Sequence, residues 1–295
     1  MSGGVPAGAG AARDDTEYAV SADGTRIAFE RTGSGPVVVL VDGALVQREV
    51  GPARPLAGAL ASRFTAVAYD RRGRGLSGDT APYAVEREVE DLRAVIEAVG
   101  GDAAVVAQSS GAVLALRAAA AGVPMRALVV YEAPWTAPRR RRDAGADHLH
   151  ELRTRLEAGR PGGAVDYFMV HMAGAPWFVP FMLRLSRDAW THLQAAAPTL
   201  PYDAQLVGPH PAPPVDLLRQ VTVPTFVLAG ARSPQPMRDT QRAVAAAIPG
   251  AQHGELLGQT HQVQPHILAP LVIAFLGRAG TEGAGPAPRD GSTGD

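Results

Sequence analysis

The chain reads as an α/β protein: a mostly parallel sheet flanked by helices on both faces, interrupted by a helical insertion. Three observations predict this. Short apolar runs recur at 37–41, 64–69, 103–106, 127–131 and 225–229, with a weaker one at 251–257. Continuous runs of this kind suit strands buried on both faces, the usual state of a parallel sheet. Segments with helical spacing lie between several of these runs, and strand–helix alternation implies parallel pairing with helices packed on each side. The rhythm then breaks between about 136 and 219, where aromatic, helical and Pro-rich sequence carries no strand pattern.

Taken in order, residues 1–15 are rich in Gly and Ala and poor in bulky apolar groups, which predicts a disordered tail. Tyr18 to Arg31 holds two short strand patterns split by Asp23-Gly24, a favourable hairpin turn. The runs at 37–41 and 64–69 follow as strands. Over 82–99, Val85, Val89, Leu92, Val95, Ile96 and Val99 fall on one helical stripe. A strand at 103–106 leads into an Ala- and Leu-rich helix at 112–121. Later come strands at 127–131 and 225–229, a helix at 238–248, a last strand at 251–257 and a closing helix at 265–276. Residues 279–295 read as a second tail. The expected organisation is a core made of 16–135 and 220–278, with 136–219 as a helical cap.

Composition narrows the function classes. The chain has 295 residues, is 46% hydrophobic and carries a net charge of −1, so a sizeable core is available and nothing calls for nucleic acid or an anionic membrane. Its 28 basic residues are all arginine, which excludes a Schiff-base lysine or a Ser–Lys pair. It has no Cys, which excludes disulfides, a Cys nucleophile and thiolate metal sites. No segment approaches about 18 uninterrupted apolar residues, and the N-terminus has no signal-peptide pattern. A cytoplasmic protein is the expectation, acting on a small molecule, without metal or cofactor, and with its oligomeric state open.

The chemistry concentrates at Ala107-Gln108-Ser109-Ser110-Gly111, a sharp turn between the strand 103–106 and the helix 112–121. A Ser flanked by small residues between a strand and a helix is the context of the G-x-S-x-G nucleophile elbow. The turn lifts the hydroxyl off the sheet and aims a helix N-terminus at it, where backbone N–H groups can hold an oxyanion. Ala107 stands where Gly is usual. Ser110 is a rival nucleophile, but the bulky Gln108 two residues before it disfavours the turn, so the expectation rests on Ser109. The alternative is an ordinary Ser-Ser-Gly helix cap.

Four segments together resemble the α/β-hydrolase family, over roughly residues 17 to 278. Val41-Asp42-Gly43-Ala44 follows the third strand, where the family carries His-Gly-x. Tyr69-Asp70-Arg71-Arg72-Gly73-Arg74-Gly75-Leu76-Ser77 is similar to the family's D-x-R-G-x-G-x-S turn, one residue longer. The elbow is the third, and Gly258-Gln259-Thr260-His261, after the last strand, is the fourth. The resemblance implies a serine hydrolase with Ser109 as nucleophile, His261 as base, and the N–H groups of Ala44 and Ser110 as the oxyanion hole. The family's usual acid position, after the strand 225–229, holds Ser233 in Gly230-Ala231-Arg232-Ser233, and Ser233 carries no charge. Glu132, at the end of the strand 127–131, is the alternative, and some haloalkane dehalogenases of this fold place a Glu at that strand end. Asp239 is the nearest acid beyond Ser233.

The function expected is cleavage of an ester, lactone or thioester of a small to medium, largely apolar substrate through an acyl-enzyme on Ser109. The alternatives are a non-hydrolytic catalyst on the same fold (lyase, cyclase or haloperoxidase-like) and a ligand-binding protein with a degenerate triad. Trp135, Trp177 and Phe181 are the expected pocket walls. Asp70 to Ser77 is read as structural, with a phosphate-binding loop as its alternative. The run Arg139 to Arg142 reads as a solvated charge cluster or as a grip on an anionic acyl carrier. Asp42 stands beside the expected oxyanion hole, where an anion would oppose developing negative charge unless it points away or is protonated.

Overall fold

A computed structural model describes residues 15–136, 145–209 and 212–282. The Arg139 to Arg142 run and His210 lie outside the described residues. The strands are β1 (Glu17–Val20), β2 (Arg26–Thr32), β3 (Val37–Val41), β4 (Thr65–Tyr69), β5 (Ala103–Gln108), β6 (Leu128–Tyr131), β7 (Thr225–Gly230) and β8 (Gln252–Leu256). They form one sheet in the order β1-β2-β4-β3-β5-β6-β7-β8. β1 and β2 pair antiparallel, as do β2 and β4, and every other pairing is parallel.

The period of two along each strand decides what covers each face. Val39 and Val41 of β3 with Val105 and Ala107 of β5 meet α2 (Val85–Ala98), α3 (Ser110–Ala120) and α10 (Gln235–Ala247) through Leu92, Ile96, Leu114 and Val244. Their neighbours Val38, Leu40, Ala104 and Val106 meet α1 (Ala53–Leu60) and α11 (Pro265–Glu282) through Leu56, Leu60, Leu268 and Val272. β3 and β5 are adjacent and in register, Val41 opposite Ala107. The chain leaves β3 for α1 on one face and leaves β5 for α3 on the other. Such a divergence opens a crevice at the carboxyl ends of the two strands, the usual place for a ligand in an open α/β sheet.

Between β6 and β7 the described residues hold only helices: α4 (His148–Glu157), α5 (Pro161–Tyr167), α6 (Val179–Leu183), α7 (Arg187–Ala196), α8 (Leu200–Val207) and α9 (Val215–Leu218), with a π-helical turn at Phe168–Met172 and a 3-10 turn at Ala197–Thr199. Leu152, Val165, Tyr167 and Leu200 build a separate small core there, and Leu45 from the loop after β3 joins it. No described helix is long and apolar enough to cross a membrane.

The structure corrects three expectations about elements. α1 was not expected, although Ala53, Leu56, Ala57 and Leu60 are its buried face at helical spacing. α10 runs from Gln235 to Ala247, so it begins earlier than the expected start at 238. α11 continues to Glu282, past the expected start of the second tail, because Ala279 still packs on the core.

Candidate active site

Ser109 sits at the tip of the turn between β5 and α3, half-buried, with φ 54° and ψ −130°. A positive φ is costly for a residue with a Cβ, and it persists here because the turn is clamped from two sides. Ser109 N–H donates to the Tyr131 carbonyl at 2.9 Å, and its own carbonyl accepts from Ala112 N–H at 2.9 Å. The helix can approach the sheet only because residue 111 is Gly: a Cβ there would lie 2.5 Å from the Val41 carbonyl oxygen and 2.6 Å from that of Asp42. Gly43 likewise leaves room for Ser109, whose Cβ would lie 2.8 Å from a Cβ at 43.

His261 stands in the loop between β8 and α11. The Tyr131 hydroxyl donates to the neighbouring Thr260 carbonyl, and Arg232 N–H donates to Gln259 O at 2.9 Å, so the end of β6 and the segment after β7 fix this loop. His261 Nε2 lies 3.1 Å from Ser109 Oγ. On the far side of the ring, Nδ1 lies 2.8 Å from Glu132 Oε2. Glu132 is fully buried at the end of β6, with a φ of 51°, and its Oε1 accepts from Gly230 N–H at 2.8 Å. Three side chains from three strand ends thus form one hydrogen-bonded line from hydroxyl to carboxylate.

The other acid candidates stand elsewhere. Ser233 is buried, and its hydroxyl has no hydrogen-bond partner among the described residues. Asp239 bonds Arg242 at 2.6 Å and Gln235 at 2.7 Å, exposed on α10. The Ser110 hydroxyl is already engaged: it donates to Asp203 Oδ1 at 2.7 Å and accepts from Arg71 Nη1 at 3.2 Å. Ser110 is therefore held as a structural hydroxyl while Ser109 faces the imidazole.

The turn after β4 is built of buried ion pairs. Arg72 reaches Asp91 at 2.7 Å and Asp23 at 2.9 Å. Arg71 pairs with Glu88 at 2.7 Å and Asp203 at 2.9 Å, and Arg74 with Asp203 at 2.7 Å. Burial alone would raise the Asp203 carboxyl, but Arg74, Arg71 and the Ser110 hydroxyl outweigh it and hold Asp203 below the usual carboxylate range. These guanidinium groups are committed to carboxylates of the chain, which suits a structural turn and not a phosphate cradle.

Asp42 is 6% exposed, and one carboxyl oxygen, Oδ2, has no partner among the described residues. Burial pushes its pKa up to about 7, while the Ala53 N–H, Arg74 and Arg71 pull the other way. A cavity of about 20 Å³, room for one water, is lined by Asp42, Ala53, Leu56 and Leu268 among others. Below pH 7 the Asp42 carboxyl is therefore mostly neutral, which reduces the negative charge beside Gly43.

The aromatic residues divide. Trp135 is 1% exposed, packs in the core and donates its indole N–H to Val207 O at 3.0 Å. This corrects its expected place in a pocket wall: its ring is spent on the core against α8. Trp177 and Phe181 are 76% and 61% exposed, and Trp177 meets Phe178 edge-on. Among the described residues no cluster of three or more His, Cys, Asp or Glu is arranged to hold a metal ion. The sequence reading missed Asp203, Arg71 and Arg74 as neighbours of the site, since no local pattern marks them.

The sequence profile of the alpha/beta hydrolase family matches residues 45–273, and the chain belongs to that family. Among solved structures it is similar to an alpha/beta hydrolase from Sphaerobacter thermophilus, at 45% identity and a TM-score of 0.82, covering 88% of this chain and 100% of that one. A thermophilic esterase from Thermogutta terrifontis shares 20% identity at a TM-score of 0.70, over 90% and 98% of the two chains. An enol-lactonase from Burkholderia xenovorans shares 18% identity at a TM-score of 0.65, over 88% and 100%. At those lower identities the likeness is one of fold. No curated protein matches the chain.

Proposed function

We propose that the protein is a serine hydrolase that cleaves an ester, lactone or thioester of small to medium, largely apolar substrates. The observation that carries this reading is the line from Ser109 Oγ through His261 to Glu132, with separations of 3.1 and 2.8 Å. A serine hydroxyl is a weak nucleophile at neutral pH and needs a base to take its proton. In this reading Ser109 Oγ attacks the carbonyl carbon and its proton passes to His261 Nε2. Glu132 holds the Nδ1 proton and stabilises the imidazolium. The carbonyl oxygen becomes an oxyanion facing the N–H groups of Ala44 and Ser110. His261 then returns the proton to the departing alkoxide or thiolate, leaving an acyl group on Ser109. Water, deprotonated by the same imidazole, releases the acid and restores the hydroxyl. Every step draws on residues of the chain.

The helices between β6 and β7 serve as a cap, and their exposed Trp177 and Phe181 supply apolar surface to the substrate's approach. The esterase and enol-lactonase among the structural neighbours act on the same class of bond, which agrees with this reading. The test is labelling with a fluorophosphonate, followed by peptide mapping, alongside hydrolysis of p-nitrophenyl esters of increasing chain length. The expected result is one adduct on Ser109, with Ser109→Ala unlabelled and inactive, and His261→Ala reduced by several orders of magnitude. An adduct on Ser110, or no adduct and no turnover, would overturn the reading.

A further inference from the structure

Asp203 belongs to the helical insertion, yet its carboxylate is linked to both expected oxyanion donors, directly at the Ser110 side chain and through Arg74 at Gly43. Oδ1 accepts from the Ser110 hydroxyl at 2.7 Å. Oδ2 accepts from Arg74 Nη2 at 2.7 Å, and Arg74 Nη1 donates in turn to the Gly43 carbonyl at 2.5 Å. The Gly43 carbonyl and the Ala44 N–H belong to one peptide unit. That unit is planar and trans, so an oxygen held on Arg74 fixes the N–H in the opposite direction. The Ser110 side chain held on Asp203 likewise fixes the first residue of α3. Among the described residues no carbonyl or side chain accepts from the N–H of Ala44 or of Ser110. Two unspent donors, each anchored through the same buried carboxylate, flank Ser109.

We infer that Asp203 is the positioning residue of the oxyanion hole, setting the Ala44 donor through Arg74 and the Ser110 donor directly. This rests on the serine-hydrolase reading above. Thr199, also from the insertion, completes the clamp by accepting from Arg74 Nε at 3.1 Å. Asp203 is 1% exposed, so water does not compete for these bonds. The insertion is thereby part of the catalytic apparatus as well as a cover: removing its grip leaves Ser109, His261 and Glu132 in place but lets the two N–H groups turn.

The test uses the full chain, p-nitrophenyl butyrate, and an alkyl trifluoromethyl ketone that forms a reversible hemiketal oxyanion on the nucleophile. Fluorophosphonate labelling of wild-type Ser109 comes first; its absence overturns the hydrolase reading, and this inference with it. Given labelling, Asp203→Asn is expected to lower kcat about 100-fold, the usual effect of losing an oxyanion donor, with KM changed by less than about threefold. The ketone's inhibition constant should rise by a similar factor. A merely structural role would lower the folded fraction and leave kcat per folded molecule and ketone affinity unchanged, and that result overturns the inference. Should Asp203→Asn not fold, Ser110→Ala decides, since it keeps the Arg71 and Arg74 ion pairs. A loss of kcat of about tenfold or more, with KM unmoved and weaker ketone binding, supports the clamp, and full activity refutes it.

Discussion

Replacing Glu132 by Gln tests the line of hydrogen bonds with the least disturbance of shape. Gly230 N–H donates to Oε1 at 2.8 Å and needs an acceptor, so the amide oxygen of Gln must stay there. The amide nitrogen then falls on the Oε2 position, 2.8 Å from His261 Nδ1. A donor at that position forces Nδ1 to accept, which drives the ring proton to Nε2, facing Ser109 Oγ at 3.1 Å. The imidazole then donates to the hydroxyl it should deprotonate, and the charge that stabilised the imidazolium is gone. A wrong tautomer of this kind in a serine triad costs about 10³ to 10⁴ in kcat, or about 4 to 5.5 kcal/mol of barrier. The assay is steady-state hydrolysis of p-nitrophenyl butyrate, with circular dichroism and thermal melting to establish folding. Ser233→Ala is the control, because it removes a buried hydroxyl that bonds to nothing among the described residues, and it should stay within about threefold of wild type. A folded Glu132→Gln protein that keeps more than a tenth of wild-type kcat would refute the argument, as would Ser233→Ala losing as much as Glu132→Gln.

Three further outcomes follow from packing and charge. The Asp42 carboxyl ionises at about 7 in the folded chain against 3.8 ordinarily, so below pH 4 it is neutral in both states. Between pH 4 and 7 only the unfolded chain ionises, and this group withdraws stability as pH rises, by about 4 kcal/mol in all at about 1.36 kcal/mol per unit. Urea unfolding of wild type and Asp42→Asn at pH 4.5 and 7.5 should show the difference moving in favour of the variant; a constant difference would contradict the burial argument. Gly111→Ala drives a Cβ into two carbonyl oxygens, at 2.5 and 2.6 Å, and should cost about 1–3 kcal/mol, read as a lower Tm and slower fluorophosphonate labelling. Trp135→Ala empties a core site and should cost about 3–5 kcal/mol while leaving KM for p-nitrophenyl butyrate unchanged; a raised KM at unaltered stability would return Trp135 to the substrate pocket.

Much of the fold follows from local pattern alone. The runs at β3, at β6 and over Ala103 to Ala107 of β5 are apolar because both faces of the sheet are covered, and such runs separated by helical stripes have few other arrangements. The elbow is equally local, a strand, a small-residue turn and a helix within a few positions. Ser109, His261 and Glu132 could be singled out because each follows or ends a strand, and a parallel sheet gathers those ends at one edge. The helix α1 escaped because ARPLAGAL contains both Pro and Gly, which mask its stripe. Trp135 shows a different limit: an aromatic residue just past a strand reads the same in sequence whether its ring turns to a cleft or to the core.

The sequence by itself determined the order of elements, the elbow serine and a short choice of acids, since these depend on neighbours along the chain and on strand period. Only the tertiary structure decided which carboxylate meets the imidazole, which serine hydroxyl is engaged and what holds the loop after β3. Those contacts join residues 93 to 152 positions apart: Ser110 with Asp203, Arg74 with Asp203, Glu132 with His261 and His261 with Ser109. A hydrogen bond depends on separation and direction to within a fraction of an ångström, and no periodicity in sequence encodes that for groups so far apart along the chain.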